Sequence, residues 1–218
     1  DCEALHGGGV ANFGVLDLFD GAVLRENTAT QGGGGLDAGI GSETTMHDGS
    51  RILNNTAVHG GGISLSSCQL TLGSGSRVSG NEGTTDVGGI NASSSTVILQ
   101  DGSVVGGATP EDANKGNANS GGIFIGNGTL TLESGSKVIG NTATLGAGIG
   151  ASFSNVTVRN GSRVTGNSAE SNGGGIQAFT GSVTVEAGAL VCDNQPLNAQ
   201  CAGAISGTCP APAQVCPV

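Results

Sequence analysis

Three aspartates in this sequence have carboxyl groups that could act as catalytic acids or bases. Asp20, Asp48 and Asp101 each stand directly before a glycine. Glycoside hydrolysis needs two carboxyl groups that face one cleft, so a polysaccharide-acting enzyme is one hypothesis. Asp-Gly is also a common composition of tight turns, and an acidic cluster with a neighbouring Arg or Lys base is not visible. The sequence therefore predicts turns at these positions, no enzyme and no catalytic residue.

A second set of residues, mostly threonine, recurs four positions before a glycine that repeats along the chain, of which Gly21 is the first copy. Asp17 and Ile98 occupy this position in two repeats, and threonine occupies it in the others: Thr45, Thr71, Thr131, Thr157 and Thr184. A flat threonine array on stacked strands can order water, so an ice-binding protein is an alternative function. The β-propensity of threonine on an exposed strand explains the same residues. A glycan on the Asn155-Val156-Thr157 sequon would also block a flat face.

Six cysteines form a third set: Cys2, Cys68, Cys192, Cys201, Cys209 and Cys216. An even count with four members near the C-terminus is typical of disulfides in an oxidising compartment. A zinc site is a weaker interpretation because no Cys-x-x-Cys pair occurs and the histidines lie far from the cysteine cluster. The sequence predicts disulfides, no metal site and no cofactor, and it does not choose among the disulfide connectivities.

Charge and glycosylation sequons restrict the partners and the location. The net charge is −10 with only 7 Lys and Arg, which argues against nucleic acid and anionic membranes. No apolar run is long enough for membrane insertion. Arg51, Arg77, Lys137 and Arg163 share one repeat position, either as solubilising residues or as a contact for acidic glycan or another subunit. Sequons begin at Asn54, Asn91, Asn127, Asn155 and Asn160, and in a eukaryotic source they predict a secreted glycoprotein.

These residues belong to a repeat with three independent markers. A Gly-Gly-aliphatic step, with Ala-Gly in one copy, has its aliphatic residue at Val10, Leu36, Ile63, Ile90, Ile123, Ile149 and Ile176, with spacings of 26, 27, 27, 33, 26 and 27 residues. A turn glycine recurs at Gly21, Gly49, Gly75, Gly102, Gly135, Gly161 and Gly188. Six residues further on stand Asn27, Asn55, Asn81, Asn141, Asn167 and Asn194, and only the fourth repeat lacks the asparagine, with Ala108 in its place.

Aliphatic residues alternate around each turn glycine, which predicts two or three short strands per repeat. One repeat cannot bury a face alone, whereas stacked repeats convert each aliphatic position into a continuous buried row. The sequence therefore predicts an all-β, single-stranded right-handed parallel β-helix of about seven coils. At about 4.8 Å per coil the rod would be roughly 34 Å long. Buried Leu72, Leu132 and Val158 are the test of this stacking.

The paired motifs resemble the repeats of chlamydial polymorphic outer membrane proteins. That family combines a Gly-Gly-x-aliphatic motif with a Phe-x-x-Asn motif, and here the second motif reads, for example, Ile52-Leu53-Asn54-Asn55 and Val164-Thr165-Gly166-Asn167. An aliphatic residue consistently replaces the phenylalanine, and the resemblance covers about residues 7–194. In the family such regions are adhesive domains at a cell surface. The resemblance therefore implies a β-helix with an adhesive or coat function.

Residues 1–194 are predicted to form the β-helix and residues 195–218 a Cys- and Pro-rich cap or a joint to a further domain. Residues 109–120 break the repeat period and are the first choice for a binding insertion. Few residues precede the first coil, so end-to-end homo-assembly is a further hypothesis. The favoured function is a non-enzymatic extracellular structural or adhesive module, such as a subunit of a coat or filament. Its expected partners are other protein subunits or surface glycans.

Overall fold

The structure, a computed structural model, describes residues 2–196 and 199–201. These residues form 29 strands joined by turns, and no helix occurs among them. The chain winds through seven coils, and each coil contributes one strand to each of four parallel sheets. The predicted all-β parallel solenoid is confirmed. Each coil has four strands rather than the two or three that were predicted, because strands of two or three residues are too short to show alternation.

The strands follow one another in the same order in every coil. The first three coils contain β1 (Glu3–His6), β2 (Val10–Asn12), β3 (Val15–Leu18), β4 (Val23–Arg25), β5 (Thr28–Gly32), β6 (Leu36–Ala38), β7 (Glu43–Met46), β8 (Arg51–Leu53), β9 (Thr56–Ala57), β10 (Ile63–Ser66), β11 (Gln69–Leu72) and β12 (Arg77–Ser79). The fourth and fifth contain β13 (Glu82–Gly83), β14 (Ile90–Ser93), β15 (Thr96–Leu99), β16 (Val104–Gly106), β17 (Lys115–Gly116), β18 (Ile123–Gly126), β19 (Thr129–Leu132) and β20 (Lys137–Ile139).

The last two coils contain β21 (Thr142–Leu145), β22 (Ile149–Ser152), β23 (Ser154–Val158), β24 (Arg163–Thr165), β25 (Ser168–Asn172), β26 (Ile176–Ala178), β27 (Gly181–Val185) and β28 (Leu190–Cys192), and β29 (Ala199–Cys201) follows them. Sheets A, B, C and D begin with β1, β2, β3 and β4, respectively, and take every fourth strand. The last strand pairs with β26 and extends sheet B. The domain boundary at residue 194 stays a prediction.

Aliphatic rows fill the interior as the repeat predicts. Leu72, Leu132 and Val158 are fully buried and lie in one row of sheet C. Sheets B and D contribute the rows that contain Ile90 and Val138. Sheet A contributes small residues at the inward position, such as Ala29 and Ala57. Shared burial between coils is therefore the main reason why the coils stack.

The Gly-Gly steps make room for the neighbouring backbone and for the asparagine row. A Cβ on Gly34, the first glycine of one step, would lie 2.6 Å from the carbonyl oxygen of Thr56 in sheet A. A Cβ on Gly35, the second glycine, would lie 2.9 Å from Asn55 Nδ2. A side chain at either position would therefore clash. The Gly-Gly step and the asparagine are separate motifs in the sequence. In the structure both lie at one close contact, between the start of sheet B and the corner before sheet A.

The asparagine row is continuous, contrary to the prediction of a gap in the fourth repeat. Asn114 lies between Asn81 and Asn141, with Nδ2–Oδ1 distances of 3.0 Å on both sides. Ala108 is exposed. Seven asparagines therefore form one ladder, which consists of Asn27, Asn55, Asn81, Asn114, Asn141, Asn167 and Asn194.

The insertion of the fourth coil is shorter than predicted and lies entirely before Asn114. The backbone N–H of Gly107 donates to Ile139 in the next coil, and the carbonyl of Asp112 accepts from Gly80 in the previous coil, at 2.9 and 3.0 Å. Residues 108–113 are therefore the extra segment, and the predicted insertion at 109–120 was wrong at both ends. The segment leaves the corner between sheets D and A without breaking the hydrogen bonds to either neighbouring coil.

Candidate functional site

A polar groove of about 320 Å³ runs along the corner between sheets A and B. One wall is the outward column of sheet A, in which His6, Gly32 and His59 lie in register. The other wall is the outward column of sheet B, in which Asp37, Ser64 and Asn91 lie in register. Gln31, Ser66 and Ser93 complete the polar lining. Residues from four successive coils therefore meet in one open depression.

Gly32 forms the floor of the groove between the two histidines. An ideal Cβ on this glycine would lie 3.2 Å from Ser64 Oγ, 3.3 Å from His6 Nδ1 and 3.4 Å from Asp37 Oδ1. Three polar atoms of different residues thus surround the space that a side chain would fill. The absence of a side chain opens a polar niche in which hydrogen-bonding groups converge.

Each histidine of the groove faces a carboxylate. His6 Nδ1 lies 3.7 Å from Asp37 Oδ2, and His59 Nδ1 lies 3.4 Å from Asp86 Oδ2. The carboxylates are the more buried partners, with 18% and 22% of the side chain exposed, against 47% and 51% for the histidines. Asp86 also accepts a hydrogen bond from Asn119 Nδ2. Asp86 is therefore held in place, while the imidazoles of both pairs remain accessible to a ligand.

These groups suit a ligand with many hydroxyls. Carboxylates accept hydrogen bonds from hydroxyls, and amide and imidazole groups both donate and accept. An imidazole beside a carboxylate can also transfer protons, so the groove is the place where catalysis would be tested. Sequence reasoning missed this site because its residues come from separate repeats. The available signal was that His6 and His59 both directly precede a glycine run and that Asp37 directly follows a Gly-Gly-Leu step.

The predicted threonine column is assembled on the outward face of sheet C. Register pairs join Thr45 to Thr71, Thr131 to Thr157 and Thr157 to Thr184. Ile98 interrupts the column between Thr71 and Thr131. The column beside it contains Arg159, which forms a 3.0 Å salt bridge to Glu133, so charged side chains border the threonines on one side.

The predicted turn and glycosylation residues lie at the surface. Asp20, Asp48 and Asp101 are exposed at the turns between sheets C and D. Among the sequon residues, Asn54, Asn127, Asn155 and Asn160 are exposed, whereas Asn91 is half-buried in the groove wall. Asn54 and Asn127 adopt left-handed backbone with φ of 53° at corners. Four sequons are therefore accessible to a glycan, and Asn91 is the least accessible.

The disulfide prediction is wrong for Cys2 and Cys68, which are free. Cys68 is buried at the corner between sheets B and C, where its Sγ lies 3.5 Å from the carbonyl oxygen of Ala38. It occupies the position that Ser95 and Ser154 occupy in other coils. Cys2 stands at the start of the asparagine ladder, where its N–H donates to Asn27 Oδ1 at 3.2 Å. Pairing among Cys192, Cys201, Cys209 and Cys216 stays a prediction, and Cys209 and Cys216 lie outside the described residues.

Comparisons with known proteins found no matching family model, no similar curated protein and no similar solved structure. The structure supports a β-solenoid repeat protein, and the finer likeness to the chlamydial repeats rests on the sequence motifs alone.

Within residues 2–196 and 199–201, no helix is long and apolar enough to cross a membrane.

Proposed function

We propose that this chain is a non-enzymatic extracellular structural or adhesive module, a rod whose polar groove binds a hydroxyl-rich glycan. The observation that carries this proposal is the niche above Gly32, on which His6, Asp37 and Ser64 converge within 3.4 Å of one point. Sugar hydroxyls can donate to the carboxylate and accept from the imidazole at once. The solenoid gives the niche a rigid frame because each of its walls belongs to a hydrogen-bonded sheet.

Exposed sequons and the repeat motifs support an extracellular location. Asn54, Asn127, Asn155 and Asn160 are open to glycosylation. The motif resemblance to chlamydial polymorphic outer membrane proteins points to the same place, since those repeats are adhesive domains at cell surfaces. A coat or filament subunit would use the same lateral surfaces. Assembly with other subunits, including end-to-end assembly, stays a prediction.

The adhesive function is tested by a glycan panel with two alanine variants. Gly32→Ala fills the niche, and Gly14→Ala is the matched control because no atom lies within 4 Å of its added Cβ. Neither glycine has a positive φ, so the backbone conformation suits alanine at both. At Gly32 the neighbouring side chains must also shift by a few tenths of an ångström, because the added Cβ would lie 3.2 Å from Ser64 Oγ. The wild type and Gly14→Ala should bind the same glycans, and Gly32→Ala should lose this binding. Equal binding by all three proteins would show that the groove is not the site.

The non-enzymatic and extracellular parts need separate measurements. Polysaccharides incubated with the protein should show no new reducing ends or unsaturated products. Product that disappears in His6→Ala or His59→Ala would overturn the proposal in favour of a polysaccharide-acting enzyme. Immunogold labelling of native cells should place the protein on the outer surface or in the surrounding matrix. Label confined to the cell interior would contradict the extracellular location.

Ice binding is a second candidate, because the register aligns threonines on one face of sheet C. Inter-strand spacing of about 4.8 Å repeats the hydroxyls along the rod. Thr131→Tyr with Thr157→Tyr would disrupt this array. Thermal hysteresis in the wild type that is lost in the double variant would support ice binding. A wild type without thermal hysteresis would exclude it.

A further inference from the structure

Sheet D carries most of the positive charge of an acidic protein. Its first outward column consists of Val23, Arg51, Arg77, Val104, Lys137, Arg163 and Leu190 in continuous register. Arg25 lies on the same sheet. Five of the 7 Lys and Arg residues are therefore on one of four sheets, although the net charge is −10. We call the four cations of this column the cationic row.

Adjacent members of the cationic row repel one another. Parallel strands are about 4.8 Å apart, and like charges on directly paired positions destabilise a sheet. Arg77 is neutralised by Asp112 of the insertion, with an Nη2–Oδ2 distance of 3.0 Å. Within the described residues, no ion pair involves Arg51, Lys137 or Arg163, and all three are exposed. The row therefore has unneutralised charge that an anionic ligand would stabilise.

Lys137 and Arg163 have neutral residues next to both ends of their strands. The turns that precede these two strands contain Ser134 and Asn160, where the coil of Arg51 has Asp48. Gly140 and Gly166 follow them at the other end of the strand, where Glu26 stands in the first coil. Within their own coils these two cations therefore have neutral residues directly at both ends of the strand, while Glu133 is paired with Arg159 and Asp193 occupies the corner position of the next coil.

We propose that the cationic row binds a linear polyanionic polysaccharide, one that bears carboxylate or sulfate groups and lies along the rod. A rigid row with a fixed rise per coil presents its charges to successive sugars without further ordering, which reduces the entropic cost of binding. A nucleic acid fits poorly, because so few cations cannot offset the repulsion between its dense phosphates and the rest of this acidic protein. This surface lies on a different sheet from the groove and does not depend on the groove for binding.

The test is a binding assay at low ionic strength with polygalacturonate and dextran sulfate, with uncharged dextran as the reference. The combined variant Lys137→Gln with Arg163→Gln removes two cations from the row. The combined variant Lys115→Gln with Arg159→Gln is the matched control, because it removes two cations from sheet A and from the edge of sheet C. Both combined variants lower the net charge equally, so they separate a local site from a general charge effect.

The wild type should bind at least one of the two charged polymers and not dextran. The row variant should bind about three- to tenfold more weakly, as expected for the loss of two exposed ion pairs, while the control pair should stay close to wild type. Equal weakening in both combined variants, or none in the row variant, would overturn the inference, as would a wild type that binds neither polymer. Circular dichroism confirms folding, and the removal of neighbouring like charges should not lower the melting temperature. Retained polyanion binding by Gly32→Ala would show that the two surfaces act independently.

Discussion

Two corners of each coil place a residue towards the interior, and the two corners use different residue types for this position. At the corner between sheets D and A, the inward residue is asparagine in every coil junction from Asn27 to Asn194. At the corner between sheets B and C, the corresponding position holds Ser42, Cys68, Ser95, Gly128, Ser154 and Gly181. In most coils a left-handed residue directly precedes the inward residue at each corner, such as Asn54 and Ser67 with φ of 53° and 52°. We call the corner between sheets D and A the strict corner, because it always holds asparagine. We call the corner between sheets B and C the tolerant corner, because it holds serine, cysteine or glycine.

Hydrogen-bonding capacity explains the difference between the corners. An asparagine amide offers two donors and an oxygen that accepts two bonds. Asn141 uses all of them: its Nδ2 donates to Val105 and Asn167, and its Oδ1 accepts from the N–H and Nδ2 of Asn114. A serine hydroxyl has a single proton, and Ser95 Oγ donates it locally to the carbonyl of Ser93 at 2.7 Å. The amide therefore links three coils, whereas the hydroxyl completes its own turn and links to the previous coil alone, as Ser95 does by accepting from the Cys68 N–H.

The largest effect is expected at the strict corner. Asn141→Ala should lower the free energy of unfolding by roughly 2–5 kcal/mol, because it leaves the buried donors of Asn114 without an acceptor and creates a cavity. Chemical denaturation followed by circular dichroism measures this loss. The control is Asn117→Ala, an exposed asparagine whose Nδ2 donates only to Thr84, which should change stability by about 0.5 kcal/mol or less. Similar losses in both variants would mean that the ladder asparagine contributes no more to stability than an exposed asparagine does.

The tolerant corner should respond less strongly. Ser95→Ala removes the acceptor of the Cys68 N–H, a bond of 3.2 Å, and should lower the unfolding free energy by about 1–2 kcal/mol. Cys68→Ser introduces the hydroxyl that other coils have at this position and should change the unfolding free energy by less than about 1 kcal/mol.

In native protein, a thiol reagent should label Cys2 and leave Cys68 protected. A large destabilisation by Cys68→Ser would show that sulfur has a role beyond filling the corner.

The smallest effect is expected from shortening the insertion at the strict corner. Removal of residues 108–113 joins Gly107 to Asn114 and reproduces the Gly80-Asn81 arrangement of the previous coil. The deletion removes the partly exposed Arg77–Asp112 salt bridge, and the carbonyl of Gly106 would replace that of Asp112 as the acceptor for the Gly80 N–H. With that replacement, stability should fall by only about 1 kcal/mol or less. Thermal unfolding of the deletion variant checks this. Failure of the variant to fold would mean that the segment is part of the corner and not an addition to it.

The sequence predicted the features that repeat in every coil, because each is visible several times. The inward row of Leu72 and Leu132 followed from spacing and hydrophobicity alone. Spacing from Gly102 predicts Ala108 at this corner, whereas spacing from Gly121 indicates Asn114, because Asn114 precedes Gly121 by the same 7 residues as Asn81 precedes Gly88. The equivalence of Cys68 to Ser95 was visible in the sequence, because both stand seven residues before their turn glycine, but the even cysteine count favoured a disulfide.

The groove could not be predicted from the repeat for a different physical reason. His6, Asp37 and Ser64 occupy three repeats and two columns, and the Gly-Gly-aliphatic marker gives the position of each within its own coil but not which of them face one another. Their contact depends on the register between β1 and β5, which shifts between Ala4 and His6. A shift of this kind changes which outward side chains face each other, yet it leaves the spacing of the inward aliphatic residues intact.

A double-mutant cycle between Asn114 and Asn141 tests the continuous ladder most directly. Unfolding free energies of the wild type, both single alanine variants and the double variant give the coupling between the two side chains. The Nδ2–Oδ1 hydrogen bond of 3.0 Å predicts that the double variant loses about 1–2 kcal/mol less than the sum of the single variants. Additive losses, or no loss in Asn114→Ala, would contradict a ladder that passes unbroken through the fourth coil.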